Sequence, residues 1–269
     1  MTLQHQQQWM QEFIGSSRRD LLKGVGGALL LASTGLITTS RLSAQEATPL
    51  ASPETAGSLI DKHAVVRLRA MKQGHSVDEL LAMVDEGFVP LMEDIPGLVW
   101  YAAAGNDETH AQFAVSVFED AAGVEASTEQ AMAWAKEGAG DLTEGDPTIL
   151  GGVIGVSAAP APAEDTKGQY MVVRLREPNP KWEVAEVMRL IDEGYVPLVQ
   201  EIPEFITYFG LVDPATGRQA FVGVFEDKAG TDASTKAAGE WLTANAYDFF
   251  AGDPIVAEGR IGAASSGER

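Results

Sequence analysis

Between residues 63 and 69 the chain alternates, with Ala64, Val66 and Leu68 on one side and His63, Val65, Arg67 and Arg69 on the other. A period of two predicts a strand. Helical spacing follows over residues 76–86. Ser76, with Glu79 three positions on, makes the reciprocal capping arrangement that satisfies free N–H groups at a helix start. Gly87 is expected to stop that helix, and a further helical turn from Val89 to Asp94 ends before Pro96. Apolar runs over 98–104 and 111–119 predict two more strands, and the polar, turn-forming stretch between them is a hairpin signal. A second helix is predicted over 126–138, preceded by Gly123, and a fourth strand over 148–156. The order β-α-β-β-α-β is the ferredoxin-like arrangement, an α+β class.

The same pattern then repeats. Val65-Val66-Arg67-Leu68-Arg69 returns as Val172-Val173-Arg174-Leu175-Arg176, and Val117-Phe118-Glu119-Asp120 as Val224-Phe225-Glu226-Asp227. Asp85-Glu86-Gly87 returns as Asp192-Glu193-Gly194, Trp134 as Trp241, and Gly145-Asp146-Pro147 as Gly252-Asp253-Pro254. Every pair is offset by 107 positions without a gap, and about 40% of the aligned positions are identical. Each copy is long enough for its own sheet and helices, so the repeat marks two tandem globular units, 63–157 and 169–264. Residues 158–168, rich in Ala and Pro, read as the linker between them.

A ferredoxin-like sheet carries helices on one face only, and its other face needs cover. On strand one, Val66 and Leu68 are expected to face the helices. Arg67 and Arg69, with Arg174 and Arg176 in the second copy, then point away from them.

Composition narrows the function classes. The net charge is -20, and without the first 44 residues it is 15 basic against 37 acidic groups, or -22. Such a field repels phosphate backbones and anionic membranes, so no nucleic-acid partner is expected. The chain has no cysteine, which excludes disulfides, thiolate nucleophiles, thiolate-bound metals and a lipid anchor on cysteine.

The N-terminus carries an address. Ser17-Arg18-Arg19-Asp20-Leu21-Leu22-Lys23 follows the twin-arginine pattern, and a mildly apolar stretch from Gly24 to Ile37 fits a signal-peptide core, too short to span a bilayer comfortably. Residues 1–44 are therefore expected to be a signal peptide cleaved near Ala44, and residues 45–62 a flexible spacer. The expected location is periplasmic, cell-surface or extracellular. The translocase would be a partner during export, and no stable membrane anchor would remain after cleavage.

With the repeat, the β-α-β-β-α-β order, the Ile95-Pro96-Gly97-Leu98-Val99-Trp100-Tyr101 entry to strand two and the Trp134 helix in place, each copy resembles antibiotic biosynthesis monooxygenase-like (ABM) domains of the dimeric α/β-barrel superfamily. The resemblance implies that the two units pair through their sheets as an intramolecular dimeric α/β-barrel. Relatives include cofactor-independent quinol or polyketide oxygenases and haem-degrading oxygenases. The haem-degrading set of Asn, Trp and His has no residue-by-residue match here, and copy two lacks histidine. No catalytic residue is therefore carried over, and no cofactor or metal is implied.

The candidate ligand-binding residues are Arg67, Arg174, Tyr101 and Tyr208. The arginines, if turned into the barrel, could bind an anionic or carbonyl-bearing ligand, or could be structural partners of Glu119 and Glu226. The tyrosines could bond a substrate oxygen, or simply pack. Trp100 has no counterpart, since Thr207 stands at its repeat position; His63 with His110 has no metal-type spacing. Two functional readings follow: a monooxygenase-type enzyme acting on a small aromatic or quinone-like compound inside the barrel, or a non-catalytic exported small-molecule-binding or interaction protein.

Overall fold

The computed structural model describes residues 58–162, 165–245 and 247–267. The expected signal peptide and residues 45–57 of the spacer lie outside the described residues. Unit 1 consists of β1 (His63–Met71), α1 (Val77–Met83), α2 (Val89–Glu93), β2 (Leu98–Asn106), β3 (Ala111–Phe118), α3 (Ala121–Lys136) and β4 (Thr143–Ser157). Unit 2 repeats them as β5 (Tyr170–Pro178), α4 (Val184–Gly194), α5 (Val196–Gln200), β6 (Phe205–Val212), β7 (Gln219–Phe225), α6 (Lys228–Ala244) and β8 (Phe250–Ser266). Among the described residues no helix is long and apolar enough to cross a membrane.

All eight strands close into one antiparallel barrel in the order β1-β3-β2-β8-β5-β7-β6-β4. Each unit supplies a four-stranded sheet. The long last strand of each unit joins the other sheet, β4 along β6 from Val153↔Val212 to Ser157↔Phe209, and β8 along β2 from Gly105↔Arg260 to Trp100↔Ser266. The chain thus forms the intramolecular dimeric α/β-barrel. Closure removes the exposed sheet edges that either unit would leave alone.

Inside the barrel the wall positions alternate, as in any closed sheet. Ala64, Val66 and Leu68 of β1 point inward with Met171, Val173 and Leu175 of β5, and all are buried. Leu59, at the end of the predicted spacer, and Ala161, in the predicted linker, join the same interior cluster. This reverses the expected facing of strand one. In a closed barrel the lumen is the fully enclosed layer, and the apolar set of β1 turns to it. Arg67 takes the outer layer, where helix α3 offers hydroxyl groups.

The interior is filled asymmetrically. Trp100 and Ala102 of β2 correspond to Thr207 and Phe209 of β6, and Phe113 of β3 to Ala220 of β7. Large faces small at each of these repeat positions. Trp100 and Phe209 meet edge to face, with ring centroids 6.3 Å apart and planes at 89°. The two halves have become complementary instead of interchangeable, the condition for close packing across a pseudo-symmetric core.

Several shared sequence features act differently from their sequence reading. Ser76 does cap α1, accepting from the Glu79 amide at 3.0 Å. Gly87, however, does not end the helix. Residues 84–88 form one π-helical turn that runs straight into α2. Gly87 faces Trp134, whose Nε1 would lie 3.4 Å from an added Cβ, an ordinary contact distance. Helix α3 begins earlier than predicted because Asp120 caps it, accepting from the Gly123 amide at 3.0 Å; Asp227 does the same at Gly230. The Gly-Asp-Pro segments are bulges within β4 and β8, with Gly145 and Gly252 at φ 70° and 69° and the ladder shifting beside them. The extra residues explain why β4 is longer than predicted.

Candidate functional site

The site begins at position 67. Arg67 lies outward on β1, its Cα partnered by Ala114 on β3, and is 5% exposed. Its Nη1 donates to Ser116 Oγ at 3.1 Å, and its Nη2 donates to Ser127 Oγ at 2.7 Å and Thr128 Oγ1 at 2.9 Å. Ser127 and Thr128 are held in turn, donating to the Val124 carbonyl at 2.9 and 2.8 Å. Ser127-Thr128, which recurs as Ser234-Thr235, is thus an arginine cradle.

No carboxylate among the described residues pairs with Arg67. Glu119, the expected partner, is taken by Lys62 at 2.6 Å, and Glu226 accepts from Gln169 at 3.3 Å. The Arg67 Nε is buried without a partner. Burial pulls the guanidinium down to about 10, with neighbouring Arg69 adding to the effect, against the pull of Tyr101. It remains charged at neutral pH.

Beside it, Tyr101 on β2 is buried at 1% exposure and also faces the helices. Desolvation pushes its hydroxyl well above the usual tyrosine range, so it is a neutral donor. Arg67, Tyr101 and Gln112 line a cavity of about 50 Å³ between sheet and helices, with Phe88, Trp134 and Ala114 forming apolar wall. Phe88 packs on both Tyr101 and Trp134, at 5.8 and 5.2 Å between centroids. Neither the Tyr101 hydroxyl nor the Gln112 amide has a protein hydrogen-bond partner among the described residues. A larger cleft of about 340 Å³ shares Arg69, Ala135 and Thr143 with the inner cavity and so adjoins it. Arg69 is half-buried there, lowered by desolvation and partly restored by Asp146 of the bulge.

Unit 2 places Arg174 and Tyr208 at the same stations. Arg174 is 5% exposed and donates through Nη2 to Ser234 Oγ at 3.3 Å and Thr235 Oγ1 at 2.6 Å. Its surroundings differ. Phe221 replaces Ala114 as its cross-strand partner, Tyr195 replaces Phe88, Leu242 replaces Ala135 and Phe250 replaces Thr143. Each replacement is larger. Phe221 stacks on Tyr208 at 6.4 Å with planes 5° apart, and Phe250 packs on Phe221 at 5.8 Å. The Tyr195 hydroxyl donates to the Ser234 carbonyl at 3.0 Å. The cavity shrinks to about 30 Å³.

The four candidate residues therefore come together in pairs, Arg67 with Tyr101 and Arg174 with Tyr208. They do so outside the barrel, and the two pairs sit in separate cavities. The barrel-interior site is overturned: that space holds Val, Leu, Phe and Ala side chains. Trp100 belongs to this filling. His63 and His110 do not meet, because His63 opens β1 while the His110 carbonyl bonds Met71 at its far end, eight residues or roughly 26 Å away. Gln112 and the Ser127-Thr128 cradle were missed, although Gln112 is repeated as Gln219 and the cradle as Ser234-Thr235. Shared polar residues inside otherwise apolar elements were the signal.

No family model matches the sequence, and no curated protein matches it significantly. Solved structures share its fold. A candidate monooxygenase of Fusobacterium nucleatum subsp. nucleatum superposes with a TM-score of 0.60 at 15% identity, covering 78% of this chain and 96% of its own. A candidate monooxygenase of Lactobacillus acidophilus NCFM gives 0.55 at 8% identity, covering 77% and 96%. An anthrone oxidase-like protein gives 0.53 at 12% identity, covering 78% and 94%. At these identities the likeness establishes a shared architecture, the α/β-barrel of two ferredoxin-like halves.

Proposed function

We propose that this is an exported tandem ABM-like protein whose unit 1 cavity binds a small aromatic or quinone-like compound and oxidises it in a monooxygenase-type reaction. The observation that carries the reading is the cavity itself. Tyr101 and Gln112 line it with unspent hydrogen-bonding capacity beside the Arg67 cation, and its small aromatic-walled space adjoins a cleft of about 340 Å³, the combination that marks a ligand site. The named activities of the structural neighbours agree with it as fold analogy.

In this reading Arg67 and Tyr101 stabilise negative charge on a phenolic or enolic oxygen of the substrate. That charge activates the ring toward O2. One oxygen atom becomes a ring carbonyl and the other leaves as water with the two hydrogens of the oxidised carbon and hydroxyl. The substrate supplies all four electrons that reduce O2, so the reading requires no cofactor. Export rests on the Arg18-Arg19 signal. The translocase is the partner in that step, and replacing both arginines with lysine should hold the chain in the cytoplasm.

Oxygen uptake by the mature protein on a panel of hydroquinones and anthrones tests the activity. Uptake that disappears in Arg67→Met and persists in Arg174→Met supports it. Binding without oxygen uptake would instead favour the non-catalytic binding protein.

A further inference from the structure

Among the described residues, Arg67 is a buried positive charge held only by neutral groups. Three of the five guanidinium N–H groups meet Ser116, Ser127 and Thr128. The hydroxyls orient the cation without neutralising it, and Nε is left buried and unpartnered, on a side chain that lines the cavity. The nearest charged neighbour on its own strand, Arg69, is also positive. The acidic groups that reach this region act elsewhere: Asp146 on Arg69, and Asp85 on Tyr101 while bonding Lys167 at 3.3 Å. A buried charge without a counter-charge is costly, and a scaffold could place an apolar residue there at less cost. The Tyr101 hydroxyl and the Gln112 amide add two neutral donors on the same side, and no carboxylate among the described residues lines the inner cavity.

We infer that the ligand of the unit 1 cavity is a small aromatic anion, a ring oxyanion or carboxylate, whose charged oxygen takes Arg67 as its counter-charge and Tyr101 and Gln112 as donors. This rests on reading that cavity as the ligand site. A carboxylate has lone pairs enough for all three groups. The inner cavity of about 50 Å³ takes the carboxylate, and the ring extends past Arg69 into the adjoining cleft of about 340 Å³. Unit 2 keeps the arginine but fills the space beside it with Phe221, so the stoichiometry is one ligand per chain.

Benzoate and its uncharged isostere benzamide test the charge, with binding to the mature protein followed by calorimetry and ligand-observed NMR. One benzoate per chain is expected, with benzamide at least tenfold weaker. Arg67→Met should erase the preference without lowering the melting temperature, and Arg174→Met should leave it intact. Ala114→Phe, which keeps the arginine and fills the cavity, should also abolish benzoate binding. Equal affinity for the two probes, or benzoate binding that survives Arg67→Met, overturns the inference. If neutral 1-naphthol binds in the cavity and benzoate does not, the anion is wrong and the site stands. If none of the three binds, both fall.

Discussion

Phe113 and Phe221 stand one step out of register in the repeat, and that step moves an aromatic ring from inside the barrel to outside it. Unit 1 reads Phe113-Ala114 and unit 2 reads Ala220-Phe221. Successive strand residues face opposite ways. Phe113 therefore fills the lumen and Ala114 leaves the Arg67 cavity open, while Ala220 yields lumen space and Phe221 closes the cavity beside Arg174. Gly210, where unit 1 has Ala103, accommodates the ring: a Cβ there would lie 2.7 Å from it.

The exchange can be reversed. Phe221→Ala should open the second cavity, at a cost of about 3–5 kcal/mol for a deleted buried ring. Chemical denaturation would measure the cost, and titration with the unit 1 ligand should rise from one site per chain toward two. Ala114→Phe should do the opposite and leave none.

The lumen makes a second prediction. Trp100→Ala and Phe209→Ala should each destabilise the fold by about 3–5 kcal/mol, because each ring is buried in a closed interior. Since the rings touch, the double variant should cost less than the sum, by about 0.5–3 kcal/mol. Additive losses in urea denaturation would show that the two halves pack independently.

Alkaline pH separates the buried groups. Arg67 sits near 10 in the folded chain, below the ordinary arginine range, so above pH 10 the folded state binds fewer protons than the unfolded one. Stability from this group alone then rises with pH until the unfolded chain's arginine also loses its proton. Tyr101 and Tyr208, shifted upward by desolvation, act oppositely: the unfolded chain ionises first and stability falls above pH 10. Comparing wild type with Arg67→Met isolates the arginine. The stability difference should move toward wild type by about 1 kcal/mol between pH 8 and pH 11. No movement would mean that the guanidinium is better solvated than its surroundings suggest.

The strand and helix order was legible because it rests on periodicity, and the repeat verified each element twice. What periodicity could not give was which face of the sheet is the interior. Val65 and Val66 are both apolar, so only the closed topology decides that Val66 goes inward and Arg67 toward Ser127 and Thr128. Arg67 and Tyr101 are neighbours, as are Arg174 and Tyr208, for a local reason that single positions do not show: both project from the same face of one sheet. Their inequality was written in the differences between copies, at 114/221, 88/195 and 143/250, but its meaning depends on knowing that these positions surround one cavity.

Gly87 and Gly194 give a closing test, because they are identical in the repeat and should respond oppositely. Both precede the second helical turn of their unit, and neither has a positive φ. Alanine suits a helix better than glycine by about 1 kcal/mol. At Gly87 a Cβ would meet the Trp134 indole at 3.4 Å, an ordinary contact, whereas at Gly194 it would lie 2.8 Å from Trp241 Nε1 and 2.9 Å from Cζ2. Trp241 is wedged among Tyr195, Tyr247 and Phe249, so the rigid ring has little room to withdraw. Gly87→Ala should leave the melting temperature unchanged or raised, and Gly194→Ala should lower stability by about 1–3 kcal/mol, the usual cost of overpacking. Equal effects would mean that unit 2 is packed no more tightly than unit 1, and would undo the argument that its cavity has been closed.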